Sequence, residues 1–123
     1  MTDIPELQER LRDFAERRDW KQFHSPKNLS MALIVEAGEL AEHFQWLTQD
    51  ESFNLPDDKL QDVGEELADI FVYLVRLADQ LGIDLPEAVD RKIALNEAKY
   101  PADLVRGSAK KYSEYGGRAG PAR

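Results

Sequence analysis

Two pairs of acidic residues have a spacing that could support chemistry. Glu36 and Glu39 are three residues apart, and so are Glu66 and Asp69. Residues three apart share one face of a helix, and apolar residues recur on the same faces at helical spacing. Carboxylates held among apolar side chains must be protonated, paired or bound to a cation. Two neighbouring antiparallel helices would bring all four together.

The donor atoms in such a cluster would all be oxygens, which favours Mg²⁺, or Mn²⁺, over zinc. Mg²⁺ usually keeps several waters and takes its remaining ligands from substrate phosphates, so the pattern indicates a phosphorylated substrate. A di-iron bundle would use Glu-x-x-His motifs. The residues three before His24 and His43 are Lys21 and Leu40, so that class of site is excluded.

A simpler interpretation of the acidic pairs is a solvated helix face. Acidic residues number 24 of 123, so pairs spaced by three arise by chance, and a lone pair on a helix is usually exposed. Two pairs inside apolar stripes on neighbouring helices favour the metal site instead.

Composition limits the classes of function. The chain of 123 residues fits one domain, and its net charge of −8 disfavours a nucleic-acid polymer as partner. The absence of cysteine excludes disulfides and thiolate zinc sites. The first twelve residues form no apolar signal segment, and the apolar runs are too short to span a bilayer. We therefore expect a cytoplasmic protein with no membrane partner.

Four helices must position the carboxylates, over about residues 4–18, 26–47, 57–82 and 85–99. Residues 48–56 are predicted to form a loop. No strand pattern is present, so the fold class is an all-α four-helix bundle, with a domain over residues 1–103 and a flexible tail over 104–123. The second helix is apolar over an arc wider than one partner surface covers, which indicates a homo-oligomer.

Four segments carry a resemblance to a known family. They are EAGELAE at 36–42, EELADI at 65–70, RDWKQFHSPKNL at 18–29 and ALNEAKYP at 94–101. Together they resemble the all-α NTP pyrophosphohydrolase (MazG-like) superfamily, in its dCTP pyrophosphatase branch, over about residues 7–101. The resemblance implies dimers or tetramers and Mg²⁺-dependent conversion of dCTP, or a modified dCTP, and water into dCMP and pyrophosphate, as nucleotide-pool house-cleaning.

The resemblance also implies roles for particular residues. Trp20 and Trp46 would line the base pocket, although tryptophans are more often core anchors. Besides binding the metal, Glu39 is expected to orient the attacking water, because it lies one turn from Glu36. The implied metal ligands are Glu36, Glu39, Glu66 and Asp69, and the implied phosphate or sugar contacts are Tyr73, Lys92, Asn96 and Tyr100.

The sequence departs from the family pattern in two places. Ala37 follows Glu36 where several relatives have a second glutamate, and Leu11 and Arg12 lie where the dCTP branch has a histidine. Two alternatives stay open. One is a dUTP or broad-specificity (d)NTP pyrophosphatase. The other is a non-catalytic helical oligomerisation module.

Overall fold

The computed structural model describes residues 2–108, and every regular element in that range is helical, as the sequence predicts. The chain forms two compact units, the first ending at Ile83 and the second beginning at Asp84. The first unit contains α1 (Ile4–Arg17), α2 (Pro26–Glu42), α3 (Gln49–Ser52), α4 (Asp57–Gln80) and a 3₁₀ turn (Lys21–Phe23); the second contains α5 (Leu85–Lys99) and α6 (Ala102–Val105).

Short polar side chains begin most of these helices. The side-chain oxygens of Asp3, Ser25, Thr48 and Asp84 each accept a hydrogen bond from the backbone N–H three residues later. These bonds satisfy amide donors that have no partner within the helix. Proline follows in the first turn of α1, α2 and α5, where its missing N–H does no harm. The starts of the long helices are therefore local properties of the sequence.

Two helix ends use a left-handed residue. Gly82 has φ +67° after α4, and the amide of Ile83 donates to the carbonyl of Ala78 at 2.9 Å. After α1 the left-handed residue is Asp19, with φ +52°, and the amide of Trp20 donates to the carbonyl of Ala15 at 2.8 Å. Both patterns are Schellman motifs. The second one turns the chain back so that Trp20 lies beside α1.

The second long helix is shorter than predicted. It ends at Glu42 rather than near residue 47, and the amides of His43 and Phe44 bond to carbonyls only three residues back. The predicted loop also contains α3, because Thr48 and Glu51 form a reciprocal capping box that starts a new helical turn.

Helix α4 is the centre of the first unit and packs against both α1 and α2. Helices α2 and α4 run antiparallel: Gln80 at the end of α4 donates to the backbone oxygen of His24 just before α2, at 2.7 Å. At the opposite end, His43 and Lys59 line one cavity. Within residues 2–108 the buried apolar residues are Ala15, Leu29, Val63, Val75 and Ala78.

Large apolar side chains also remain exposed on this unit. One face of α4 carries Leu60, Leu67 and Phe71, which are 57%, 52% and 42% exposed. Gly64 lies between them at helical spacing, and its surroundings are open. We call these four residues the α4 stripe; α2 similarly exposes Met31, Ile34 and Val35.

None of the helices within residues 2–108 is both long and apolar enough to span a membrane. Most of the predicted tail, from residue 109 onward, lies outside the described residues.

Candidate active site

Three of the four predicted carboxylates meet between α2 and α4. Glu36 and Glu39 project from α2 and Glu66 from α4, and one oxygen from each lies within 4.8 Å of the others. Asp69 is not part of this group of three, but it is one turn along α4 from Glu66 and lines a cavity with Glu36. The antiparallel pairing of the two helices produces this meeting.

The cluster strongly disfavours full ionisation. A hydrogen bond with Glu66, partial burial and the neighbouring Glu39 raise the pKa of Glu36 from 4.5 to about 7. The same bond to Glu36 acts to lower the pKa of Glu66, but burial and the charges of Glu39 and Asp69 outweigh it, so the pKa of Glu66 is raised as well. Without a cation, Glu36 and Glu66 therefore share a proton near neutral pH.

The donor set fits a hard divalent cation. One oxygen of Glu36 and one of Glu66, the Oε2 atoms, are buried and have no hydrogen-bond partner among the described residues. Buried polar atoms are rarely left without a partner, and each such group needs an explanation. Three converging carboxylates match the oxygen ligands that Mg²⁺ and Mn²⁺ prefer.

A cavity of about 510 Å³ opens beside this cluster. Trp20, 44% exposed, packs edge-on against Phe14 with ring centroids 5.7 Å apart, and the His24 ring also meets it edge-on at 6.4 Å. Carboxylates thus lie on the wall of a cavity that also has an aromatic, largely apolar part. The lining residues are Leu11, Phe14, Trp20, His24, Glu36, Asp69, Val72, Tyr73 and Arg76.

A second cavity, of about 410 Å³, is lined by the other members of the cluster. Glu39 and Glu66 share it with His43 and Lys59, and Glu42 completes the lining. The carboxylate cluster therefore lies between two cavities, and the second brings an ammonium group near the acidic residues.

The predicted substrate-binding residues are not all brought together. Trp20 and Tyr73 line the larger cavity, whereas Trp46 lies beyond the end of α2 and is 87% exposed. Trp46 is thus not a core anchor in this protomer. Lys92, Asn96 and Tyr100 belong to the second unit, on α5 and at its end.

Two polar residues of the larger cavity were missed by the sequence reasoning, Arg76 and His24. The signal for Arg76 was present, because Asp69, Tyr73 and Arg76 follow one another at steps of four and three and share one face of α4.

The comparison with known families agrees with this architecture. The family model described as the MazG-like family matches residues 31–115. The chain belongs to the MazG-like family. The resemblance found in the sequence motifs is therefore confirmed, as is the all-α fold.

Individual relatives include named enzymes. The chain is 48% identical to dCTP pyrophosphatase 1 of Homo sapiens over 105 residues, and 47% identical to the Mus musculus protein of that name over 104 residues. Each alignment covers 83% of this chain and 61% of the relative, so the chain spans less than two thirds of their length. A crystal structure of a pyrophosphatase from Archaeoglobus fulgidus superposes with a TM-score of 0.77 at 41% identity, covering 82% of this chain and 94% of that one.

Proposed function

We propose that this protein hydrolyses dCTP, or a modified dCTP, to the monophosphate and pyrophosphate, using a divalent cation held by the carboxylate cluster. The observation that carries the proposal is the meeting of Glu36, Glu39 and Glu66 beside a cavity walled by Trp20, with two buried oxygens that have no partner within residues 2–108. The mammalian relatives named dCTP pyrophosphatase and the archaeal pyrophosphatase support it.

The cation would be held by Glu36, Glu39 and Glu66, with Asp69 beside them. When bound, Mg²⁺ or Mn²⁺ would neutralise phosphate charge and make the attacking water more acidic. The negative cluster would otherwise repel a triphosphate, so substrate and cation are expected to bind together.

The reaction would be a direct displacement at the α-phosphorus. The oxygen of a water molecule bonds to that phosphorus, and the bond from it to the oxygen bridging to the β-phosphorus breaks, releasing pyrophosphate. Glu39 is the exposed member of the cluster and is one turn from Glu36, so we assign it to orient this water and accept its proton.

The base would occupy the aromatic part of the larger cavity. Trp20 supplies a ring that is held in place by Phe14 and His24, and such a face suits stacking of a planar base. Tyr73 lines the same cavity. The proposed phosphate and sugar contacts of Lys92, Asn96 and Tyr100 come from the resemblance alone.

Assembly into a homo-oligomer, dimer or tetramer, completes the proposal. Large apolar side chains are exposed on the α4 stripe, on α2 and at Trp46, which is 87% exposed, and neighbouring exposed apolar side chains mark an interaction surface. A second copy covering these surfaces would bury Trp46 and could place it against a neighbouring site.

The decisive assay is pyrophosphate release in the presence of Mg²⁺ from dCTP, 5-methyl-dCTP, dUTP, dTTP, dATP and dGTP. Glu66→Gln removes one ligand charge with little change in shape and should abolish release. Glu65→Gln is the matched control, since this neighbouring carboxylate on α4 is exposed and lies outside the cluster. Its activity should equal that of the wild type.

The outcomes separate the alternatives. Preferential turnover of dCTP or 5-methyl-dCTP supports the proposal, and preference for dUTP or equal use of all six triphosphates replaces it with a broader pyrophosphatase. No release from any of them with Mg²⁺ or Mn²⁺ favours the non-catalytic oligomerisation module.

A further inference from the structure

The larger cavity contains a buried charge that the proposed reaction does not use. Arg76 is 3% exposed, and its Nε donates to Nδ1 of His24 at 3.3 Å while Nη1 donates to Asp79 at 3.3 Å. The remaining nitrogen, Nη2, is buried and has no partner among the described residues. Leaving a charged donor buried without an acceptor is costly. Arg76 lines the cavity, so an acceptor group that binds there and displaces the atoms covering Nη2 would satisfy this nitrogen.

The guanidinium is held firmly by its neighbours. Asp79 also accepts two bonds from Arg12, at 2.7 and 2.5 Å, which fixes the carboxylate against α1. Burial and the charge of Arg76 lower the pKa of His24, so its ring stays neutral and Nδ1 keeps the lone pair that accepts from Arg76. The free nitrogen therefore keeps its place without a ligand, as a preorganised binding group does.

The position of Arg76 indicates which part of a nucleotide it would meet. It lies seven residues after Asp69 on α4, and a rise of 1.5 Å per residue separates their α-carbons by roughly 10 Å along the helix. The phosphates must lie near the carboxylates, where the cation would bind. Arg76 instead lies near the aromatic wall formed by Trp20 and Phe14, which is the proposed position of the base.

We propose that Arg76 is a specificity-determining residue whose Nη2 donates a hydrogen bond to the acceptor edge of a pyrimidine base, at the carbonyl oxygen on C2. This inference rests on the proposed function and names a contact within that site. A guanidinium group is always charged and can only donate hydrogen bonds, so it cannot pair with a position of the base that carries an N–H. The carbonyl oxygen on C2 is present in cytosine, uracil and thymine and absent from adenine and guanine, so this contact selects pyrimidines over purines.

The test compares dCTP with its analogue that has sulfur in place of the oxygen on C2, since sulfur is a weak acceptor. Arg76→Met keeps an unbranched side chain and removes the donors, and Arg76→Lys keeps the charge in case the first variant does not fold. Arg17→Met is the matched control, because Arg17 is an exposed arginine of α1 paired with Asp13. We measure kcat/KM for each protein with both substrates.

The wild type and Arg17→Met should prefer dCTP, and Arg76→Met should lose that preference, with kcat/KM for dCTP falling about 10- to 100-fold. Arg76→Lys still donates, but from a shorter side chain, so its preference should lie between those of the wild type and Arg76→Met. An equal fall for both substrates would overturn the inference and leave Arg76 a purely structural role. Inhibition by inorganic triphosphate separates base from phosphate. The inhibition constant of triphosphate should be the same for the variants and the wild type. A tenfold rise in the variants would show that Arg76 binds a phosphate and would contradict the proposed contact with the base.

Titration with the nucleoside deoxycytidine keeps the inference separate from the proposed activity. If the wild type hydrolyses no triphosphate, the proposed function fails. The contact of Arg76 is then tested by binding alone, and replacing Arg76 should weaken deoxycytidine binding about tenfold or more. Equal binding by wild type and variants, or no binding by either, overturns the contact.

Discussion

Replacing Glu36 with glutamine should stabilise the metal-free protein. Its carboxylate is forced to share space with two others, and the amide that replaces it carries no charge. The same change removes a proposed ligand, so it should also reduce the stabilisation that Mg²⁺ provides. A single substitution is therefore expected to have opposite effects on stability with and without the cation.

The magnitude follows from the pKa of Glu36, which is raised from 4.5 to about 7. A carboxyl group whose pKa is higher in the folded state stabilises the fold fully below 4.5, and this contribution is lost as the pH rises through 7. At 1.36 kcal/mol per unit the loss is at most about 3 kcal/mol. Since the side chain keeps some contact with solvent, screening reduces this to about 1–2 kcal/mol.

The assay is thermal unfolding at one protein concentration, at pH 5 and pH 8, with EDTA or with Mg²⁺. At pH 8 in EDTA, Glu36→Gln should melt about 3–8 °C above the wild type, and at pH 5 the difference should nearly vanish. Addition of Mg²⁺ at pH 8 should raise the melting temperature of the wild type by more than that of the variant. Glu65→Gln, at an exposed position outside the cluster, should follow the wild type in all four conditions.

The reasoning would be refuted by a variant that melts below the wild type at pH 8 in EDTA. It would also be refuted by a difference of the same size at both pH values, because the effect would then not come from ionisation of the cluster.

Three further predictions concern the scaffold. Leu29→Ala empties one of the two largest fully buried positions and should lower the free energy of unfolding in urea by about 2–4 kcal/mol, and a loss below 1 kcal/mol would contradict close packing between α2 and α4. Thr48→Ala breaks the capping box at the start of α3 and should lower it by about 1 kcal/mol, whereas alanine at Gln49 should have a smaller effect. Asp79→Asn weakens the bonds to both guanidinium groups and should lower it by about 1–2 kcal/mol at neutral pH. Because Arg12 lowers the pKa of Asp79, the difference from the wild type should shrink as the pH falls through that pKa, and a constant difference down to pH 2 would count against the ion pair.

The long helices were predictable because their signals are local. Asp3, Ser25 and Asp84 are capping residues, and Gly82 is the kind of residue that ends a helix in the left-handed region. The end of α2 was placed too late because no proline or glycine marks it. Thr48 and Glu51 match a capping box, which marks the start of a new helix. This motif indicates that α2 ends before residue 48.

The carboxylate cluster was also predictable in large part. Spacing places each acidic pair on one helix face, but the pairing of α2 with α4 is a tertiary property that spacing cannot supply. Spacing therefore does not tell which of the four form the tightest group, which proves to be Glu36, Glu39 and Glu66. The exposure of Trp46 could not be anticipated, since a tryptophan has the same apolar character in a core and at a surface awaiting a partner.

Arg76 shows a limit of a different kind. Spacing places Arg76 on the face of α4 that carries Asp69 and Tyr73, but an arginine on a helix is usually a solvated side chain, so spacing alone does not predict its burial. Its burial depends on Asp79 and His24, which reach it from its own helix and from the turn before α2. Only the assembled structure reveals that one nitrogen has no partner in the described part of the chain.

The position of the cluster between two cavities has a kinetic consequence. Glu36 and Asp69 line one cavity, and Glu39 and Glu66 line the other. Under the proposed function, a bond broken at this boundary leaves the nucleoside monophosphate on one side and pyrophosphate on the other. Neither product would then have to leave before its counterpart, so release would follow no fixed order. The two products, added together as inhibitors, would occupy the same enzyme molecule at once rather than displace each other.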